Sequence, residues 1–441
     1  MSYDIYRIRK RVARLIIAVV VASMAASGAA LASGDNGDKP ESAAAANHAQ
    51  PIEALVAEAM RASPLLTASR GHYQALNKVA SQVSTLPDPE ITLQQLTVGG
   101  PKPFEGYETS DFYYTGFGAS QDIPWPGKLR LRGEQATHDA LAGAEDYESA
   151  RRTVAEKVRE NAFELYFLAK RRDLLADTRE RLTQIEKITE DQYRFGKAQN
   201  QDVIKAQLEM TSILKDIEMT RDDIAERQAT LKSILGREPS SADIEIGDIQ
   251  PQTFKMDRAQ LKEIASDRAP DVLMARHLEA KSATELQMAK EDYIPDFSLS
   301  YMYQKTGPGM RDYYMLTLGA KVPLYFWRKQ KPAIEQAVLE KQAAGDRMRQ
   351  SMLDATAEAE RNRVAIATQD RILTIYRDGL IPQSRATLES ALAAYRTGQV
   401  DFQTLLSATL DVLNTAESYY RAMADREIAI ARIKQIIGEQ S

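Results

Sequence analysis

The side chains that could hold a metal or attack a substrate are thinly spread. His48, His72, His138 and His277 stand far apart, and none has a second histidine or a cysteine at a metal-ligand spacing. The 14 methionines are equally dispersed, which makes no soft-metal relay. There is no phosphate-cradling glycine loop, no dinucleotide fingerprint and no Gly-x-Ser-x-Gly elbow. The carboxylates lie on charged helical faces, where solvation is their ordinary role. The residues thus offer no catalytic group, no metal-ligand set and no cofactor site, and an enzyme is not expected.

The chemistry that remains is that of surfaces, and it rests on the elements that present them. Residues 1–32 read as a secretory signal: Arg7, Arg9, Lys10, Arg11 and Arg14 precede an apolar core from Leu15 to Ala26 and an Ala30-Leu31-Ala32 cleavage site. That core is too short to span a bilayer as a helix. Residues 33–50, rich in Gly, Asp, Ser and Ala, read as a disordered leader. With no cysteine the exported chain forms no disulfide and carries no acylated N-terminal cysteine. A net charge of -5 with both signs interspersed leaves no nucleic-acid footprint.

Most of the remainder has helical spacing, with limits near 64–86, 130–195, 200–235, 270–293, 332–397 and 400–437. The two long segments would each reach about 100 Å. In the first, Val154, Val158, Leu165, Leu168, Leu175, Leu182 and Ile185 recur at three, four or seven, the seam of a coiled coil. Two windows alternate with period two instead, 90–124 and 297–323. The halves also match each other, residues 51–240 against 241–441. Pro89, Ile91 and Leu93 answer to Pro295, Phe297 and Leu299, and Tyr193-Arg194-Phe195-Gly196 answers to Tyr395-Arg396-Thr397-Gly398. Each repeat reads as helix, hairpin, long helix, shorter helix.

In the hairpins Phe297, Leu299, Tyr301 and Tyr303 share one face with Tyr314, Leu316, Leu318, Ala320 and Val322, and polar residues alternate with them. The first hairpin sets Tyr113, Thr115, Phe117, Ala119 and Ile123 against Tyr114, Gly116, Gly118, Ser120 and Asp122. A half-buried soluble sheet gives such alternation, and so does a barrel with lipid outside and water inside. Export, helices of about 100 Å and aromatic girdles favour the membrane: Tyr113, Tyr114, Tyr313 and Tyr314 at one rim, Trp125 and Trp327 at the other. Four strands cannot close in hydrocarbon, and eight leave an interior filled with side chains, whereas twelve from three chains leave a lumen.

From Pro51 to Gly438 the sequence resembles the TolC family of outer-membrane efflux proteins. The resemblance is carried by Gln121-Asp122-Ile123-Pro124-Trp125-Pro126-Gly127-Lys128, by Ile294-Pro295-Asp296 and by the two Tyr-Arg-x-Gly turns. It implies a mainly α chain whose trimer joins a long helical coiled-coil barrel to a 12-stranded transmembrane β-barrel. It implies a passive exit duct in the outer membrane, with a large periplasmic portion, a periplasmic adaptor (membrane fusion protein) and an inner-membrane pump of RND type as partners. The Pro-Trp-Pro-Gly-Lys version is similar to members serving heavy-metal exporters, CusC and CzcC, and the cargo would be metal cations or small toxic compounds. The alternatives are the outer-membrane component of type I protein secretion and a periplasmic coiled-coil adaptor. The adaptor would dock on the turns, through Tyr193, Arg194, Gly196, Tyr395, Arg396 and Gly398. Family gates use acidic residues where this chain has Thr404 and Ser407, which leaves Asp202 and Asp401 as candidate gate residues beside their ordinary reading as helix caps.

Overall fold

A computed structural model describes residues 50–97, 113–249, 251–252, 254–307 and 309–438. The signal segment, nearly all of the leader and the first strand-connecting loop lie outside the described residues. Helices dominate. Short α1 (Ile52–Ala62) and α2 (Pro64–Ser84) lead into a hairpin of β1 (Glu90–Thr97) and β2 (Tyr113–Ile123). Then come α3 (Pro126–Arg194) and α4 (Asn200–Leu235). The same order follows in the second half: α5 (Arg258–Arg268), α6 (Pro270–Glu291), β3 (Asp296–Thr306), β4 (Tyr313–Lys321), α7 (Gln330–Ile375), α8 (Ile381–Arg396) and α9 (Phe402–Ile437).

With 69 residues, α3 is the central column, and at 1.5 Å per residue it is about 100 Å long. Its hairpin-proximal part packs against α2 and α6, with α7 beyond α6; its distal part packs against α4 and α9. All seven seam residues from Val154 to Ile185 are buried. The seam is divided among neighbours: Val154, Val158 and Leu165 meet α1 and α4 at mid-length, while Leu175, Leu182 and Ile185 meet Leu388, Phe402 and Leu405 at the far end.

Two expectations change. The helices expected to begin at 64 and 270 are each preceded by a separate short helix, α1 and α5. Pro64 and Pro270 sit at the first helical position after an extended Ser63 or Ala269, so each proline opens a second helix after a break. The segment 332–397, read as one helix, contains a π-helical turn at Tyr376–Leu380. Pro382 lies just beyond it; lacking an N–H, it cannot donate to the Asp378 carbonyl, and the wider turn absorbs that missing bond.

The strands form one antiparallel sheet in the order β1-β2-β3-β4. Ile91 lies opposite Ala119, Ala119 opposite Tyr301, and Tyr301 opposite Leu316, so a single row crosses all four strands on one face.

Candidate functional site

The register gathers the apolar residues of both hairpins onto that face. Ile91, Leu93, Phe117, Phe297, Leu299, Tyr301, Leu316 and Leu318 all share it, and all are exposed, Leu318 at 75% and Leu93 at 71%. An uncovered apolar patch of this extent needs a non-aqueous neighbour. The reverse face carries Gly116, Gly118, Ser120, Asp122, Ser298, Ser300, Thr317 and Lys321. One side of the sheet therefore suits hydrocarbon and the other water, as the alternation anticipated.

The proposed girdle residues divide in the structure. By register Tyr113 and Tyr314 stand on the apolar face, whereas Tyr114 and Tyr313 belong to the wet face. Tyr113 and Tyr114 are buried; Tyr314 is exposed and stacks on Tyr301 with ring centres 6.2 Å apart. At the other end Trp327 meets Phe326 edge-on at 5.2 Å, within an exposed apolar turn that includes Leu324 and Tyr325. Sequence reasoning singled out Trp327 alone, although the run Leu324-Tyr325-Phe326-Trp327 was signal enough for the whole turn.

Trp125 is also exposed, and its backbone takes part in a joint. Its backbone N–H donates to Asp296 Oδ1 at 3.0 Å, joining the end of the first hairpin to the start of the second. Lys128, one turn into α3, completes the joint: its Nζ donates to the Ile294 carbonyl at 3.0 Å and to Asp296 Oδ1 at 2.9 Å, with Asp292 3.7 Å away. The Lys128 side chain is 6% exposed, so these bonds replace its water shell. A Cβ on Gly127 would run into the Glu291 carboxylate, so glycine leaves room for that side chain beside the start of α3. The Pro-Trp-Pro-Gly-Lys and Ile-Pro-Asp motifs are thus two halves of one brace, where helix turns into strand.

About 100 Å along α3, the two Tyr-Arg-x-Gly turns are tied together. Gly196 and Gly398 have φ of +69° and +74°, which ends one helix and turns the chain toward the next. Gln192 Nε2 donates to the Tyr395 carbonyl at 3.0 Å, and the Tyr395 hydroxyl donates to Thr189 Oγ1 at 3.0 Å. Tyr395 is buried, so the docking role expected of its side chain is replaced by a packing role between the hairpins. Tyr193, Arg194 and Arg396 face outward, as does Phe195, 79% exposed and not singled out beforehand. Asp202 accepts from the Gln199 N–H at 3.2 Å within a capping box. Asp401 accepts from the Thr404 N–H at 2.9 Å and from its hydroxyl, which hold the Asp401 carboxyl below the usual carboxylate range. Both acids cap helices.

A model of the outer membrane efflux protein family matches residues 55–237 and 261–439. The chain belongs to the outer membrane efflux protein family. It is an outer-membrane protein with a large periplasmic helical part. Among solved structures it is similar to CusC, whose reported crystal structures concern transmembrane channel formation (16% identity, TM-score 0.78, 88% of this chain and 92% of that one). It is also similar to the CmeC outer membrane channel of Campylobacter jejuni (16%, 0.76, 88% and 85%) and to VceC of Vibrio cholerae (16%, 0.73, 88% and 96%). At such identities the likeness speaks for the fold. No curated protein matches by sequence.

In this efflux protein the wall between α3 and α9 is laced by charge. Arg432 reaches Glu160 at 2.8 Å and Glu156 at 3.8 Å, Arg421 reaches Glu164 at 3.0 Å, and Arg171 reaches Glu417 at 2.9 Å. Burial and the neighbouring Glu160 push the Glu156 carboxyl up to about 7. Glu427, 1% exposed, accepts from Arg426 and from the Gln252 N–H; burial raises its carboxyl and Arg426 opposes the rise.

Proposed function

We propose that three copies of this chain close a 12-stranded outer-membrane barrel continuous with a periplasmic helical tube. The trimer is the passive exit duct of a tripartite efflux system. The observation that carries this reading is the exposed apolar face of the sheet, which lines up across all four strands while the opposite face stays polar. A sheet with two free edges cannot stay open in hydrocarbon, where each unpaired backbone group costs several kcal/mol, so assembly is obligatory. Residues 1–32 direct export, residues 33–50 form a leader, and residues 51–240 and 241–441 are duplicated repeats.

The inner-membrane pump, of RND type, supplies energy and selects cargo, and a periplasmic adaptor docks at the hairpin turns on Tyr193, Arg194 and Arg396, together with the exposed Phe195. Asp202 and Asp401 act at the gate there as well as capping their helices. The Pro-Trp-Pro-Gly-Lys motif favours heavy-metal cations as cargo, with small toxic compounds as the broader class. Fractionation tests the core of the proposal. The protein should partition with outer membranes and run as a heat-labile species near three times 49.2 kDa, less the signal segment. A soluble monomer refutes the duct. Sensitivity of a deletion strain to metal ions, drugs and detergents then identifies the cargo.

A further inference from the structure

β1 and β4 are the outer edges of the sheet, so a closed barrel needs a seam between β4 of one copy and β1 of the next. This inference rests on the trimeric duct proposed above and asks which residues meet there. The chain contains its own counterpart of that seam. β2 meets β3 as β4 would meet β1: the return strand of one hairpin beside the first strand of the next.

Two anchors carry the internal register across. Pro89-Glu90-Ile91 opens β1 as Pro295-Asp296-Phe297 opens β3, which makes Ile91 the counterpart of Phe297. Ile123-Pro124 closes β2, and Val322-Pro323 follows β4, which makes Val322 the counterpart of Ile123. In the β2–β3 seam Ile123 lies opposite Phe297. We propose that between copies Val322 lies opposite Ile91, Ala320 opposite Leu93 and Leu318 opposite Gln95.

Alternation fixes the parity of this register. A slip by one residue would set the apolar row of β4 opposite Thr92 and Gln94, which belong to the wet face of β1, because side chains change face with each step. A slip by two keeps the faces and is the rival. Matching Ala119 to Ala320 by their hairpin partners Ile91 and Phe297 sets Val322 opposite Leu93 instead. Strand tilt separates the two. With the three internal registers given, the proposed seam closes three copies at a shear of about 18 and a tilt of about 45°; the rival needs about 24 and about 55°. Membrane strands tilt by about 35–45°. The proposed seam also overlaps six residues of each described strand, the rival four.

The chain has no cysteine, so paired thiols report the seam without background. Directly opposite Cβ atoms lie about 5 Å apart and diagonal ones about 7–8 Å, which a bifunctional thiol reagent of about 5 Å reach distinguishes. Ala320→Cys is combined with Leu93→Cys or with Gln95→Cys in the full protein in outer membranes. The Leu93 pair should yield cross-linked subunits at least about fivefold faster. Faster linking of the Gln95 pair overturns the register, and so does linking of neither within an intact heat-labile trimer. If these variants fail to assemble, Leu318→Cys with Gln95→Cys, against Leu318→Cys with Thr97→Cys, repeats the comparison. If the parent protein forms no trimer, the duct itself fails, and that outcome is read before any thiol is introduced.

Discussion

Replacing Lys128 by methionine keeps the length and apolar stem of the side chain but removes the ammonium that binds the Ile294 carbonyl and Asp296. Each bond to a charged partner contributes about 1.5–3 kcal/mol, and breaking a fully buried pair costs about 3–5 kcal/mol. Lys128 is 6% exposed, but Asp296 and Asp292 are 36% and 52% exposed, so water recovers part of the loss on the acidic side. The net cost should be about 2–3 kcal/mol, or about 30- to 150-fold in the folding equilibrium. The assay is a double-mutant cycle in detergent with Lys128→Met, Asp296→Asn and both together, following the midpoint of denaturant unfolding. The double variant should be about 1–2 kcal/mol more stable than the sum of the single losses. Strict additivity, or a Lys128→Met change under about 0.5 kcal/mol, means that the brace does not hold helix to strand.

The two faces of the sheet predict opposite tolerance. Leu318→Arg should cost about 2–4 kcal/mol and prevent outer-membrane assembly, whereas Ser300→Arg should assemble; equal yields of heat-labile trimer from both would contradict the assignment of faces. The raised Glu156 carboxyl gives a pH signature. Its folded pKa lies above the unfolded value, so the group stabilises the protonated fold and this stability is lost as pH rises from about 4.5 through about 7. Glu156→Gln should therefore raise the melting temperature at pH 8, by on the order of 2 kcal/mol of stability, and leave it nearly unchanged at pH 4; an equal shift at both pH values rules out titration of this site. Tyr395→Phe should lower unfolding stability by about 1 kcal/mol through the lost bond to Thr189, and the loss should vanish in a Thr189→Val background. Asp202→Asn with Asp401→Asn keeps both caps while removing charge. Channel conductance and antibiotic leakage should rise, and an unchanged duct would end the gate assignment.

The sheet was the part most nearly legible beforehand, because a strand's side chains have only two directions and a run such as Phe297-Ser298-Leu299-Ser300-Tyr301 commits each residue to one. The buried seam from Val154 to Ile185 was legible for the same reason at helical period. The π turn at Tyr376–Leu380 was not, since a single proline can end, kink or widen a helix and its neighbours decide which. Tyr395 shows the limit for sites. Its motif matches that of Tyr193, yet one ring packs between hairpins and the other faces out, and repeat symmetry alone assigns them the same role.

By itself the sequence determined the long helices, the two hairpins and the split of each hairpin into apolar and polar sides, though not α1, α5 or the π turn, because periodicity is local. Tertiary structure decided what lies beside what: that Lys128 closes on Ile294 and Asp296 from the other half of the chain, and that the two turns meet through Gln192, Thr189 and Tyr395. Those contacts join residues more than 160 positions apart. No local pattern encodes such a distance; it is set when the packing of whole helices brings their ends together.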